Sequence, residues 1–101
     1  NYIFCDDKTI LKINKRYLNH DFFTDVITFE LSQKNEPLMA EVYISVERVK
    51  DNAKKLGVSL KSELHRVIFH AALHLCGYND KKKRDVEIMR NKEEELLSIY
   101  L

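Results

Sequence analysis

The sequence predicts an α+β fold: a small mixed β-sheet covered by helices. Three observations carry this expectation. Segments rich in β-branched and aromatic residues all lie within the first 45 positions, whereas the second half keeps a helical spacing of apolar residues. Strands early and helices late, with no steady β–α alternation in the second half, argue against a doubly wound parallel sheet. The third observation is size: 101 residues, 45% hydrophobic and 33% charged, suit one domain with a single core over positions 1–101.

Asn1-Tyr2-Ile3-Phe4 reads as strand from the outset, and residues 1–5 end at Asp6-Asp7. A chain seldom begins inside a core strand, so a preceding piece is expected to be missing from this sequence. An Asp at position 6 or 7 can cap the helix that follows, with Ile10, Leu11, Ile13 or Asn14, and Tyr17 on its inner face. Thr24 to Leu31 reads as a second strand, and Met39 to Ser45, with clear alternation, as a third. Between them lies a polar loop with Pro37, which cannot donate within a central strand. Ser45 is placed to cap a helix running through Val46, Val49 and Ala53 to Leu56, ended by Gly57. Ser59 opens the next, through Leu60, Leu64, Val67, Ile68, Ala71 and Leu75. The last helix is expected from about Lys83 to Ile99, with Val86, Met89, Leu96 and Leu97 turned to the core.

The chemistry is concentrated in His70-Ala71-Ala72-Leu73-His74-Leu75-Cys76-Gly77-Tyr78-Asn79-Asp80. Residues i and i+4 of a helix share a face one turn apart, so His70 and His74 can reach one ion. Gly77 can adopt the left-handed conformation that stops a helix and turns the chain back, which lets Asp80 approach as a third ligand. The metal site is thus expected on a helix and the turn that follows it. Three protein ligands leave one position open, as in a catalytic zinc site, so one Zn2+ per chain is the expected cofactor. The spacing H-x-x-x-H-x-x-G-x-x-(H/D) is that of the metzincin zinc peptidases. Those enzymes place a general-base Glu beside the first His, where this chain has Ala71, so a peptidase is disfavoured. Cys76 lies on another helical face and is read as packing. Cys5 and Cys76 form neither a C-x-x-C pair nor a disulfide framework, which fits a reducing, cytoplasmic setting. No apolar run approaches the ~20 residues of a membrane span. His20 and His65 lack ligand spacing to the cluster.

The same eleven residues resemble the H-G-x-L-H-L-x-G-Y-D-H pattern of the YbeY family. Further blocks agree in order: Ile13-Asn14-Lys15-Arg16-Tyr17 is similar to L-N-x-x-Y-R, Asp21 to Phe29 to D-x-P-T-D-V-L-S-F, and Ala40 to Ser45 to G-D-I-x-I-S. The resemblance implies a single-strand-specific, metal-dependent endoribonuclease that acts in ribosomal RNA processing and ribosome maturation, at the small-subunit rRNA 3′ end. Single-stranded RNA, ribosomal RNA or the ribosome are its implied partners, with no membrane. It also implies that an N-terminal helix and strand of the family are absent from this chain. Three departures stand out: Asp80 replaces the third histidine, Ala71 replaces a glycine, and Leu18 replaces an arginine that would face the substrate cleft. Asp80 offers a harder oxygen donor, which can shift metal preference.

On this reading a metal polarises a phosphodiester oxygen or makes hydroxide available near neutral pH. Arg16, two residues before the lost arginine position, and Lys81 and Lys82, which begin the run Lys81-Lys82-Lys83-Arg84, are candidate phosphate contacts. Glu63, two turns before His70 on the same helical face, is a candidate acceptor for a ligand histidine. Its competing reading is a solvated carboxylate favoured by the helix dipole. Asp25 and Glu41 are alternatives for such a supporting role, and the spacing assigns no catalytic base. Two rival functions remain open at this point: a zinc metallopeptidase-like hydrolase, and a non-catalytic ribosome-assembly factor in which the metal only stabilises the fold.

Overall fold

The structure is a computed structural model and describes residues 1–18, 24–33, 35–78 and 81–100. His20 and Asp80 lie outside the described residues. In chain order the elements are β1 (Tyr2–Cys5), α1 (Asp7–Leu18), β2 (Val26–Glu30), β3 (Ala40–Ser45), α2 (Val46–Leu56), α3 (Leu60–Leu75) and α4 (Lys83–Tyr100). The sheet order is β1-β3-β2, with β1 parallel and β2 antiparallel to β3. This is the mixed, helix-covered sheet that the sequence predicts.

Register decides what each face carries. Val42 and Ile44 pair with Thr28 and Val26, so all four point to one side of the sheet. There Val42 and Ile44 join Val49 of α2 and Val67 and Ala71 of α3 in the main core, flanked by Val26, Leu64 and Ile68. The opposite side carries Ile27, Phe29 and Tyr43 and is covered by α1, whose Ile10 and Asn14 are buried. Tyr17, expected on the inner face of α1, is 63% exposed. Its ring nevertheless meets Phe29 edge-on at 5.9 Å, and Phe29 meets Tyr43 in the same way at 6.0 Å.

The helix boundaries follow from local chemistry. Thr9 N–H donates to Asp6 Oδ1 at 2.8 Å, capping α1. Arg48 N–H donates to Ser45 Oγ, and Ser62 N–H to Ser59 Oγ, so both expected serine caps form. Ser45 is fully buried, and its hydroxyl also donates to Asp7 Oδ1 at 2.7 Å, tying the start of α2 to the start of α1. α2 and α3 end alike. Gly57 (φ 67) and Gly77 (φ 102) take positive φ, and the next residues, Val58 and Tyr78, donate back to Ala53 and Leu73 carbonyls. That pairing is the Schellman motif, which requires a left-handed residue after the helix. β2 is shorter than its β-prone stretch: Thr24 and Asp25 precede it, and Asp25 C=O instead accepts from Ser45 N–H at 2.9 Å. Cys76, expected as packing, is exposed, because α3 has already turned off the core where the Schellman motif begins.

Candidate metal centre

α3 sets both histidines on the side of the helix that faces the edge strand β2. His70 and His74 line one cavity of about 240 Å³, whose other wall is Thr24, Asp25, Val26 and Thr28. The parity of β2 explains the company: Val26 and Thr28 point toward α3, while Ile27 and Phe29 point toward α1. An adjoining cavity of about 250 Å³ continues from Asp25, Val26 and His70 to Val67 and Arg66.

Behind His70 lies a polar network that the sequence reading did not contain. His70 Nδ1 lies 2.8 Å from Glu93 Oε2, and Arg66 Nη1 donates to Glu93 Oε1 at 3.3 Å. Arg66 also grips Glu63, with Nε and Nη2 on the two carboxylate oxygens. Both glutamates are buried, Glu63 at 0% and Glu93 at 2% exposure. Burial would pull the Arg66 pKa down. The hydrogen bonds and charge of Glu63, and after them those of Glu93, outweigh burial and hold the guanidinium more firmly protonated than usual. The Glu93 carboxylate thus sits directly against the His70 ring, with Arg66 bridging it to Glu63.

The predicted site residues therefore divide. His70 and His74 are brought together. Glu63 is neither solvated nor bonded straight to the histidine: its carboxylate is taken by Arg66, and its link to His70 runs through Arg66 and Glu93. Seven residues of helix advance the chain by about 10.5 Å, too far for a direct bond. Asp25 lies in the histidine cavity, whereas Glu41 lines a separate one on the α1 side of the sheet with Tyr17, Phe29 and Tyr43. Arg16 is exposed on α1 with its guanidinium 5.5 Å from the Tyr17 ring centre, and it is not among the described residues lining the histidine cavity. Lys81 and Lys82 are exposed immediately before α4. His65 donates from Nδ1 to Lys61 C=O at 2.7 Å and packs against Phe69.

Among the described residues no three His, Cys, Asp or Glu side chains gather around one point, and the third expected ligand, Asp80, lies outside that set. The donors that are described fit a divalent ion of the zinc type. Two imidazoles sit at ligand spacing, and one of them is held through Nδ1 by a carboxylate, the support that zinc-ligating histidines commonly have. No described helix is long and apolar enough to cross a membrane.

Comparison with known proteins agrees with this architecture. The sequence model of the family described as Endoribonuclease YbeY matches residues 1–100. The protein named Endoribonuclease YbeY from Flavobacterium johnsoniae is 51% identical over 100 residues, covering 99% of this chain and 71% of that protein. Its namesake from Bacteroides thetaiotaomicron is 45% identical over 98 residues, covering 97% and 71% respectively. Among solved structures, the solution structure of TM1509 from Thermotoga maritima superposes with a TM-score of 0.67 at 28% identity. That match covers 96% of this chain, which spans 64% of the solved one. With matches along nearly its whole length, this chain belongs to the YbeY family of endoribonucleases.

Proposed function

We propose that this chain is a metal-dependent endoribonuclease that cleaves single-stranded RNA, with His70, His74 and Asp80 as the metal ligands and zinc as the ion. The observation that carries this reading is the shared cavity of His70 and His74, backed by the buried Glu93 on His70 Nδ1. Family membership supplies the substrate class. A bound divalent ion would supply Lewis-acid stabilisation of the charge that builds on phosphodiester oxygens.

The chain's own residues then divide the remaining tasks. Asp25 is the carboxylate among the described residues lining the histidine cavity, and its backbone is pinned by Ser45 N–H. In this reading it accepts a proton from an attacking hydroxyl. Thr28 on the same wall offers a hydroxyl to a phosphate or sugar oxygen. Lys81 and Lys82, exposed immediately before α4, would contact phosphates of the bound strand. Arg16 would contact a distal phosphate at most, since α1 covers the other face of the sheet. We place the substrate in ribosomal RNA and the activity in the cytoplasm, where the two free thiols stay reduced. A peptidase reading is weakened further by the structure, because Ala71 is 1% exposed inside the core and faces no substrate.

The test is metal content and RNA cleavage measured together on the native protein, His74→Ala and Asp80→Ala. About one zinc per chain, lost with cleavage in both variants, is the expected result. Metal kept by Asp80→Ala would remove Asp80 from the ligand set. A native protein that holds no metal and leaves single-stranded RNA intact would overturn the reading.

A further inference from the structure

We infer that Glu93 is a positioning residue that fixes His70 in the one tautomer able to bind metal, and that Arg66 holds Glu93 in place to do so. This rests on the reading of His70 as a ligand, and it concerns a residue on a different helix from the ligand motif.

Donors and acceptors decide the tautomer. A neutral imidazole carries its proton on one nitrogen and a lone pair on the other, and only the lone pair can bind a metal. Glu93 meets two groups at once, Arg66 Nη1 on Oε1 at 3.3 Å and His70 Nδ1 on Oε2 at 2.8 Å. A guanidinium only donates, and a carboxylate only accepts. Oε1 is therefore committed to Arg66, and Oε2 requires the proton of His70 to sit on Nδ1. The lone pair is thereby assigned to Nε2. Burial makes this requirement strict, since at 2% exposure Glu93 has little water with which to share either oxygen. Arg66 is itself anchored by a fully buried partner, Glu63, through two further bonds. The clamp thus spans two helices, with Glu63, Arg66 and His70 on α3 and Glu93 on α4.

A glutamine at position 93 cannot reproduce this. It has the same length and shape, but one oxygen becomes an NH2 donor. Turned toward Arg66, that NH2 sets donor against donor at Nη1 and leaves the amide oxygen on His70 Nδ1–H. Turned toward His70, it demands a lone pair on Nδ1 and moves the proton to Nε2, where metal must bind. The charged guanidinium favours the oxygen over the NH2, so Glu93→Gln selects the second arrangement and trades against a metal-competent His70. Loss of such a carboxylate partner typically lowers metal affinity 10–100-fold.

The experiment uses the whole chain in two measurements. Imidazole 15N NMR of the metal-free protein, with His70 assigned by its loss in His70→Ala, reads the tautomer directly. Competition titration of zinc against a chromophoric chelator reads affinity for the native protein, Glu93→Gln, His70→Ala and the double variant. Expected are the Nδ1–H tautomer for native His70, a shift toward Nε2–H in Glu93→Gln, and at least a tenfold weaker zinc affinity in that variant. In the His70→Ala background the Glu93→Gln change should then have no further effect on affinity. An Nε2–H tautomer in the native protein overturns the inference without any variant needing to fold. So does native-like zinc affinity in Glu93→Gln, or an equal loss in both backgrounds. If native protein and His70→Ala bind zinc equally, the ligand reading fails instead, while the tautomer result stands on its own.

Discussion

At the scale of single residues, two glycines with the same local job separate stability from function. Gly57 and Gly77 both follow a helix in positive φ, and among the described residues an added Cβ would meet nothing within 4 Å at either position. Alanine at each therefore costs backbone strain alone, about 1–2 kcal/mol for a left-handed non-glycine residue. Only Gly77 lies between His74 and Asp80. Gly77→Ala, at φ 102 beyond the left-handed minimum, should lose at least as much stability in denaturant titrations as Gly57→Ala, at φ 67, while zinc affinity falls only in Gly77→Ala. Equal zinc affinity in the two would show that the turn at Gly77 does not deliver a ligand. The histidines and this glycine were legible in the sequence because helix periodicity and turn chemistry are local. Glu93 was not. It sits 23 residues from His70 on another helix, in a run of similar acidic and basic residues, and only the packing of α4 on α3 tells it apart from its exposed neighbours.

At the scale of elements, helix starts were legible for the same local reason, since Asp6, Ser45 and Ser59 each accept a bond from a backbone N–H three residues on. What sequence spacing could not supply is the join between elements, such as the Ser45 hydroxyl and Arg48 guanidinium both reaching Asp7 at the head of α1. The cap of α1 gives a pH-dependent prediction. Hydrogen bonds from Thr9, first its side chain and then its backbone, hold the Asp6 carboxyl below the usual carboxylate range. A depressed folded-state pKa contributes stability above the unfolded value near ~3.9 and loses it as pH falls through the folded one. Asn caps as well as Asp but does not titrate. Thermal unfolding of native protein and Asp6→Asn should therefore show a native advantage at neutral pH that disappears below about pH 4. An offset that stays constant through the acid range would mean that Asp6 acts through shape and not through charge.

At the scale of the whole molecule, the fold class followed from the order of strand-like and helix-like segments, but the three-strand order β1-β3-β2 did not. A parallel β1–β3 pair requires the chain to leave, form α1 and β2, and return to the middle, and no local signal marks that. The finished arrangement decides what a metal can contribute to stability. The core of Val42, Ile44, Val49, Val67 and Ala71 closes between β3, α2 and α3 using apolar side chains alone. α3 is capped at both ends by its own backbone and serine, and the histidines emerge at its sheet-facing flank beyond that core. Such a domain has no need of an ion to bury its core, unlike a small metal-folded module that is unfolded without one. A chelator should then leave the far-UV circular dichroism and a cooperative thermal transition in place while abolishing cleavage of single-stranded RNA. The midpoint should rise again with added zinc, by the amount that binding to the folded state alone dictates, about 2.7 kcal/mol at a hundredfold excess over the dissociation constant. Collapse of helical signal on chelation would make the ion a structural one, and the reading of this chain as a nuclease would lose its physical basis at the site where His70 and His74 meet.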